Sequence, residues 1–256
     1  MKLFTPGPTP VPEFARIAMS TPTIHHRTPE FEAIFKSARE MLISLYGMED
    51  ALILASSGSG AMEASVINIC KKTILTINAG KFGERFGKIA KAFNIPNVEL
   101  KYSWDTPASV KDVIDALKNN PDIDTIAVQV SESAGGLRHP VEEIAKEAKK
   151  INSNIAIIAD GITAFGVEKI DVSNIDALLG GSQKAFMLPP GLAFMGLSGL
   201  ALKRIQESSR GYYFNLATEL KNQRKNTTAW TAATTLVIGL EAILKRFFEI
   251  GADKIY

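Results

Sequence analysis

The chain has 256 residues, of which 46% are hydrophobic, 22% charged and 8% aromatic, a globular composition that excludes disorder, collagen and coiled coil as whole-chain readings. Twenty-nine Lys and Arg against 27 Asp and Glu leave a net charge of +2 with no basic block, so neither nucleic acid nor an anionic membrane is expected as a partner. One cysteine, Cys70, and three histidines exclude an intramolecular disulfide and a Cys-based zinc site, and no metal is expected.

Taken in order, residues 1–29 carry Pro6, Pro8, Pro10, Pro12, Pro22 and Pro29. They predict an extended arm over 1–28 lying on a body formed by 29–256, because proline fixes φ and removes a backbone donor. The early prolines also interrupt the apolar stretch a signal peptide needs, and no apolar run approaches the ~18–20 residues of a membrane helix. The expectation is a soluble cytoplasmic protein. A helix is predicted from Pro29 to Tyr46, with Thr28 as cap, Phe31, Ile34, Phe35, Ala38, Leu42 and Leu45 at helical spacing, and Gly47 as its end. Short apolar runs then alternate with amphipathic segments. Strands are expected at 51–55, 73–79, 97–103, 125–130, 155–159 and 175–180. Helices are expected at 61–70, 82–93, 109–118 and 141–151. This alternation predicts an α/β fold with a mostly parallel sheet flanked by helices. After Ser198 the chain reads as helical, closing with a long helix from about Ala229 to Glu249.

In such a sheet, ligands bind beyond the carboxyl ends of the strands, so the residues there sample the site. Ser56 to Gly60 form a Gly/Ser loop opening a helix, able to close backbone N–H groups on an anion; the same spacing also suits a plain Gly-rich turn. Neither a GK[ST] phosphate loop nor a dinucleotide fingerprint fits, since Glu63 takes the third small position. Asp160 ends an apolar strand, where a carboxylate needs a cation or donors; an N-cap or a buried hydrogen-bonding role would also place it there. Lys184 follows Gly180, Gly181 and Ser182 and precedes an apolar stretch. Such surroundings lower an amine's pKa, as a Schiff-base lysine requires, although a lone lysine snorkelling from a loop is the commoner case. A phosphate loop, a strand-end acid and a lysine 24 residues later together suit a phosphorylated pyridine aldehyde.

The segments TPGP (5–8), SGSGAMEA (57–64), NAGKFGERF (78–86), SESAGG (131–136), ADGITAFG (159–166) and GSQKAFMLPPGLAF (181–194), with NTTAWTAA (226–233) as a weaker match, resemble the class V aminotransferases of the alanine/serine–glyoxylate type. These are fold-type I enzymes dependent on pyridoxal 5′-phosphate (PLP). The resemblance covers nearly the whole chain in order. It implies the large domain of that fold, with the family's small C-terminal domain, and the substrate-carboxylate arginine it carries, having no match here. The chain would then be either a fragment of a longer transaminase or a natural short form. Arg204, Arg210 and Arg224 do not match the position of that arginine.

By the same resemblance, Lys184 is the Schiff-base lysine that also moves the α-proton, and Asp160 is the acid that holds the ring nitrogen protonated. Ser59, Gly60, Ala61 and Gln183 correspond to phosphate ligands. Phe82 corresponds to the aromatic stacked on the ring, where many relatives have Trp, and Ile162 to the residue on the opposite face. Ser133 corresponds to the donor to the ring hydroxyl and Gly7 to part of the substrate pocket. Thr231 corresponds to a phosphate ligand from a neighbouring subunit, which implies a homodimer with the site at its interface. The implied activity is transfer of an amino group from a small amino acid, alanine or serine, to a 2-oxo acid such as glyoxylate or pyruvate. Two alternatives are a PLP-dependent lyase resembling the cysteine desulfurases, for which Cys70 is misplaced, and a PLP-binding protein without turnover.

Overall fold

A computed structural model describes residues 3–207, 210–251 and 254–255. Met1 and Lys2 of the expected arm, and Tyr256 at the far end, lie outside the described residues. In chain order the elements are α1 (Glu13–Met19), α2 (Pro29–Tyr46), β1 (Asp50–Leu54), α3 (Gly58–Ile69), β2 (Thr73–Asn78), α4 (Gly83–Ala92), β3 (Asn97–Lys101), α5 (Val110–Asn119), β4 (Ile123–Gln129), β5 (Ser131–Glu132), β6 (Leu137–Arg138), α6 (Val141–Ile151), β7 (Ala156–Asp160), β8 (Ala177–Gly181), β9 (Ala193–Leu197), α7 (Gly199–Glu207), α8 (Leu216–Gln223) and α9 (Thr234–Ile250).

Seven strands make one sheet in the order β1-β9-β8-β7-β4-β2-β3, and β5 and β6 form a small separate hairpin. The pairs β8–β7, β7–β4, β4–β2 and β2–β3 are parallel, while β9 runs antiparallel to both β1 and β8. The strands β1, β7, β8 and β9 are buried along their whole length, as expected when helices cover both faces. One face packs under α2, α5, α6 and α9 through residues such as Phe35, Val113, Ile144 and Leu240. The other packs under α3, α4, α7 and α8 through Met62, Phe86, Ile205 and Leu216. Helix α2 starts as its sequence dictates. Thr28 Oγ1 accepts from Phe31 N–H, Pro29 occupies the first turn, and Gly47 closes the helix at φ 62°.

Three differences from the sequence reading have local causes. The N-terminal stretch is not extended throughout: α1 begins once the proline run stops at Pro12, and its Ala15 is fully buried. Strand β9 is absent from the expected strands; its short apolar run follows Pro189, Pro190 and Gly191 almost directly, with no separate turn signal to set it apart. The last helix starts at Thr234 instead of near Ala229. Before it, Thr228 Oγ1 donates to Trp230 O at 2.5 Å and Trp230 Nε1 donates to Tyr213 O at 2.9 Å, and these bonds hold 228–230 in a loop.

Two of the arginines are structural. Arg204 is buried and donates to the carbonyls of Ile69, Asp124 and Asn154, tying α7 to the sheet. Arg224 Nε pairs with Asp50 Oδ2 at 2.9 Å, and the buried Arg39 pairs with Asp50 Oδ1. Asp50 thereby meets two cations, which keeps Arg39 from being an uncompensated buried charge.

Candidate active site

Because the strands flanking β9 run in one direction, the segments after β1, β2, β4, β7 and β8 gather at one edge of the sheet. There they enclose a cavity of about 240 Å³. Its wall includes Ser59, Phe82, Ser133, Asp160, Ile162, Gln183 and Lys184, drawn from five separate stretches of chain. Gly60 and Ala61 lie behind Ser59 in the first turn of α3. Gly7 stands over the lysine: a Cβ there would fall 2.5 Å from Lys184 Cδ. Thr231 is not brought to this cavity within the chain, since it lines separate depressions with Trp230 and Ala232.

Helix α3 opens with a bare N-terminus. Ser57, at its cap position, makes no side-chain cap hydrogen bond, so the helix start offers donors and a favourable dipole to an anion. The glycines are there for close approach. A Cβ on Gly58 would sit 2.3 Å from Ile162 Cδ1, and one on Gly60 would sit 1.9 Å from Ser56 Oγ. Beside this turn, Gln183 Oε1 is buried without a hydrogen-bond partner, a cost that a bound hydrogen-bond donor would relieve.

Asp160 ends β7 and is 5% exposed. Burial raises its carboxyl pKa to about 6, against the Ile162 N–H that donates to its Oδ1 at 3.0 Å. Burial also lowers the Lys184 amine, with the charge of Asp160 opposing. A carboxylate short of partners and an amine easier to deprotonate thus face one cavity, a combination that marks chemical sites. The loop bearing Lys184 is held independently of its side chain. Thr9 Oγ1 donates to Lys184 O at 2.8 Å, Thr9 N–H donates to Gln183 O at 3.1 Å, and Ser182 Oγ donates to Pro189 O at 2.8 Å.

The sequence reading assigned no role to Glu132 or Arg85. The buried Glu132 carboxylate accepts from the N–H groups of Phe82 (3.0 Å), Gly83 (2.8 Å) and Ala134 (3.0 Å). It therefore fixes the loop bearing Phe82 to the one bearing Ser133. Nothing in the run SESAGG distinguishes such a carboxylate from an ordinary turn residue. Arg85 lines the cavity and donates to Ser59 Oγ; its spacing of three from Phe82 on α4 was the available signal.

The family model for aminotransferase class-V matches residues 14–256. A Helicobacter pylori protein described as an uncharacterized aminotransferase is 55% identical over 250 residues, 98% of this chain and 67% of that protein. The serine–glyoxylate aminotransferase of Hyphomicrobium methylovorum is 29% identical, over 99% of this chain and 65% of its own length. A solved aspartate aminotransferase of subgroup IV from Thermus thermophilus superposes with a TM-score of 0.93 at 33% identity, covering 100% of this chain and 72% of that one. The chain thus spans about two thirds of the length of the curated relatives it matches.

Proposed function

The chain belongs to the class-V aminotransferase family, and from that premise we propose that it moves an amino group from a small amino acid to a 2-oxo acid with pyridoxal 5′-phosphate held in the cavity around Lys184. Serine or alanine is the preferred donor in this reading, and glyoxylate or pyruvate the acceptor. The observation that carries it is the meeting, in one cavity, of a lowered amine, a buried acid and a glycine-bounded helix start.

The residues fit the cofactor piece by piece. The start of α3, with Ser59, Gly60 and Ala61, would hold the phosphate together with Gln183, which would donate from its Nε2 amide group. Asp160 would hold a proton on the ring nitrogen. Phe82 and Ile162 would bracket the ring, and Ser133 would donate to its hydroxyl. When bound, the group supplies an electron sink that makes the α-proton of the amino acid acidic. Lys184 Nζ would take that proton and return it at the neighbouring carbon, a task its lowered basicity suits. A side chain at Gly7 would strike Lys184 and the Gln183 carbonyl, so glycine there lets the N-terminal segment close on the lysine, where it would border the substrate. The reading extends to a cytoplasmic homodimer whose second copy supplies Thr231 to the phosphate, with 29–256 as the cofactor-binding large domain.

The lyase alternative needs a nucleophilic cysteine. Cys70 is buried and its thiol is pushed up to about 12, mainly by burial, which makes it a poor nucleophile. Mixing the cofactor-loaded protein with L-serine or L-alanine, without acceptor, tests the function. The expected result is loss of the cofactor aldehyde absorption and release of one 2-oxo acid per site, with turnover once glyoxylate is added. Cofactor binding without amino transfer from any amino acid would overturn the reading in favour of a protein without turnover. Release of sulfide from cysteine would favour the lyase.

A further inference from the structure

Arg85 stands in the first turns of α4, three residues after Phe82, so the two side chains share a face. Its guanidinium carbon lies 5.0 Å from the centroid of the Phe82 ring. Its Nη1 donates to Ser59 Oγ at 2.7 Å, which joins α4 to the first turn of α3. Among the described residues, Arg85 and Lys184 are the two cationic side chains on the cavity wall. Among the described residues Arg85 forms no close ion pair with a carboxylate; its charge reaches Asp160 only at longer range, where it opposes the burial that raises that carboxyl.

The polarity of the Arg85–Ser59 bond matters. A guanidinium only donates, so Ser59 Oγ is the acceptor. The serine hydroxyl then has its one proton left to give, and the adjacent positive charge strengthens it as a donor. That hydroxyl sits where the N-terminus of α3 already favours an anion. We propose that Arg85 is a positioning residue for the cofactor's phosphate: through Ser59 it presents a charge-backed O–H to that group while its guanidinium backs the Phe82 ring. The proposal rests on the functional reading above.

The test compares the affinity of the cofactor-free protein for pyridoxal 5′-phosphate with its affinity for pyridoxal, which lacks the phosphate, by absorbance titration. Arg85→Met is expected to weaken the phosphorylated ligand roughly ten- to hundredfold and pyridoxal by no more than about twofold. Arg85→Lys, which keeps the charge, is expected to restore part of the loss. In a Ser59→Ala background the effect of Arg85→Met on the phosphorylated ligand is expected to shrink to about twofold or less. Equal losses for both ligands would make Arg85 a merely structural residue and overturn the proposal. An undiminished effect in the Ser59→Ala background would overturn it as well. Should Arg85→Met fail to give folded protein by circular dichroism, Arg85→Gln is titrated in the same way, with the same criteria. A parent protein that binds neither ligand would instead refute the functional reading itself.

Discussion

Lys184→Ala is expected to fold, to retain affinity for the phosphorylated cofactor, and to lose transamination by at least about 10²- to 10⁴-fold, the range spanned by loss of a general acid–base group. The fold should survive because the loop is fixed through backbone and neighbouring side chains. Leu188 N–H donates to Ser182 O at 2.9 Å, Leu192 N–H donates to Ser182 Oγ at 3.2 Å, and Thr9 holds the carbonyls of Gln183 and Lys184. The rate should fall because, among the described residues, no other amine lines the cavity. Lys184→Arg separates charge from proton transfer: it keeps the cation, yet a guanidinium does not deprotonate, so it is expected to be as inactive as the alanine variant. Single-turnover formation of 2-oxo acid from serine checks both. A variant retaining more than a tenth of the parent rate would remove Lys184 from its role.

Asp160→Asn should act in two opposite ways. In the cofactor-free protein burial raises the carboxyl pKa to about 6, from the 3.8 of an exposed aspartate. A folded pKa above the unfolded one means that ionisation opposes folding. The group's contribution is complete below about pH 4 and is lost as the pH rises through about 6. The loss is about 3 kcal/mol at pH 7, taking about 1.4 kcal/mol per unit. Asn, which does not ionise, escapes it. The stability of Asp160→Asn relative to the parent is therefore expected to grow between pH 4 and 6 in urea unfolding. His139 is buried and lowered to about 4 by burial, so its contribution runs the other way: it is present above the unfolded value and lost as the pH falls through about 4. Only the difference between variant and parent isolates Asp160. With the cofactor bound, the same substitution removes the anion facing the protonated ring nitrogen. The expected loss of rate is about 10²- to 10³-fold, the scale of leaving a buried charge unpaired. A stability difference flat from pH 4 to 7, or a rate within a few-fold of the parent, would contradict the assignment.

Much of the site could be read from the strand ends. Asp160 closes an all-apolar strand, and Lys184 follows another after three small residues. Parallel strands deliver both to the same edge whatever lies between them. The structure places Ser59, Phe82, Ser133, Ile162 and Gln183 on the wall of the same cavity. What could not be read depends on pairing across the chain. The direction of β9 is set by its two neighbours, β1 and β8, and its five residues fit either direction. Glu132 acts through three backbone N–H groups, which leave no pattern in the sequence. Arg85 meets Ser59 from 26 positions away. The prolines of the first segment outweigh the short helical run Glu13–Met19, whose stability comes from α9 packing against it.

The most direct test of the central claim is borohydride reduction of the cofactor-loaded protein followed by peptide mass mapping. The expected result is a pyridoxyl group on the peptide bearing Lys184 and on no other lysine. An adduct at a different lysine, or none after loading, would contradict the assignment of this cavity as the cofactor site.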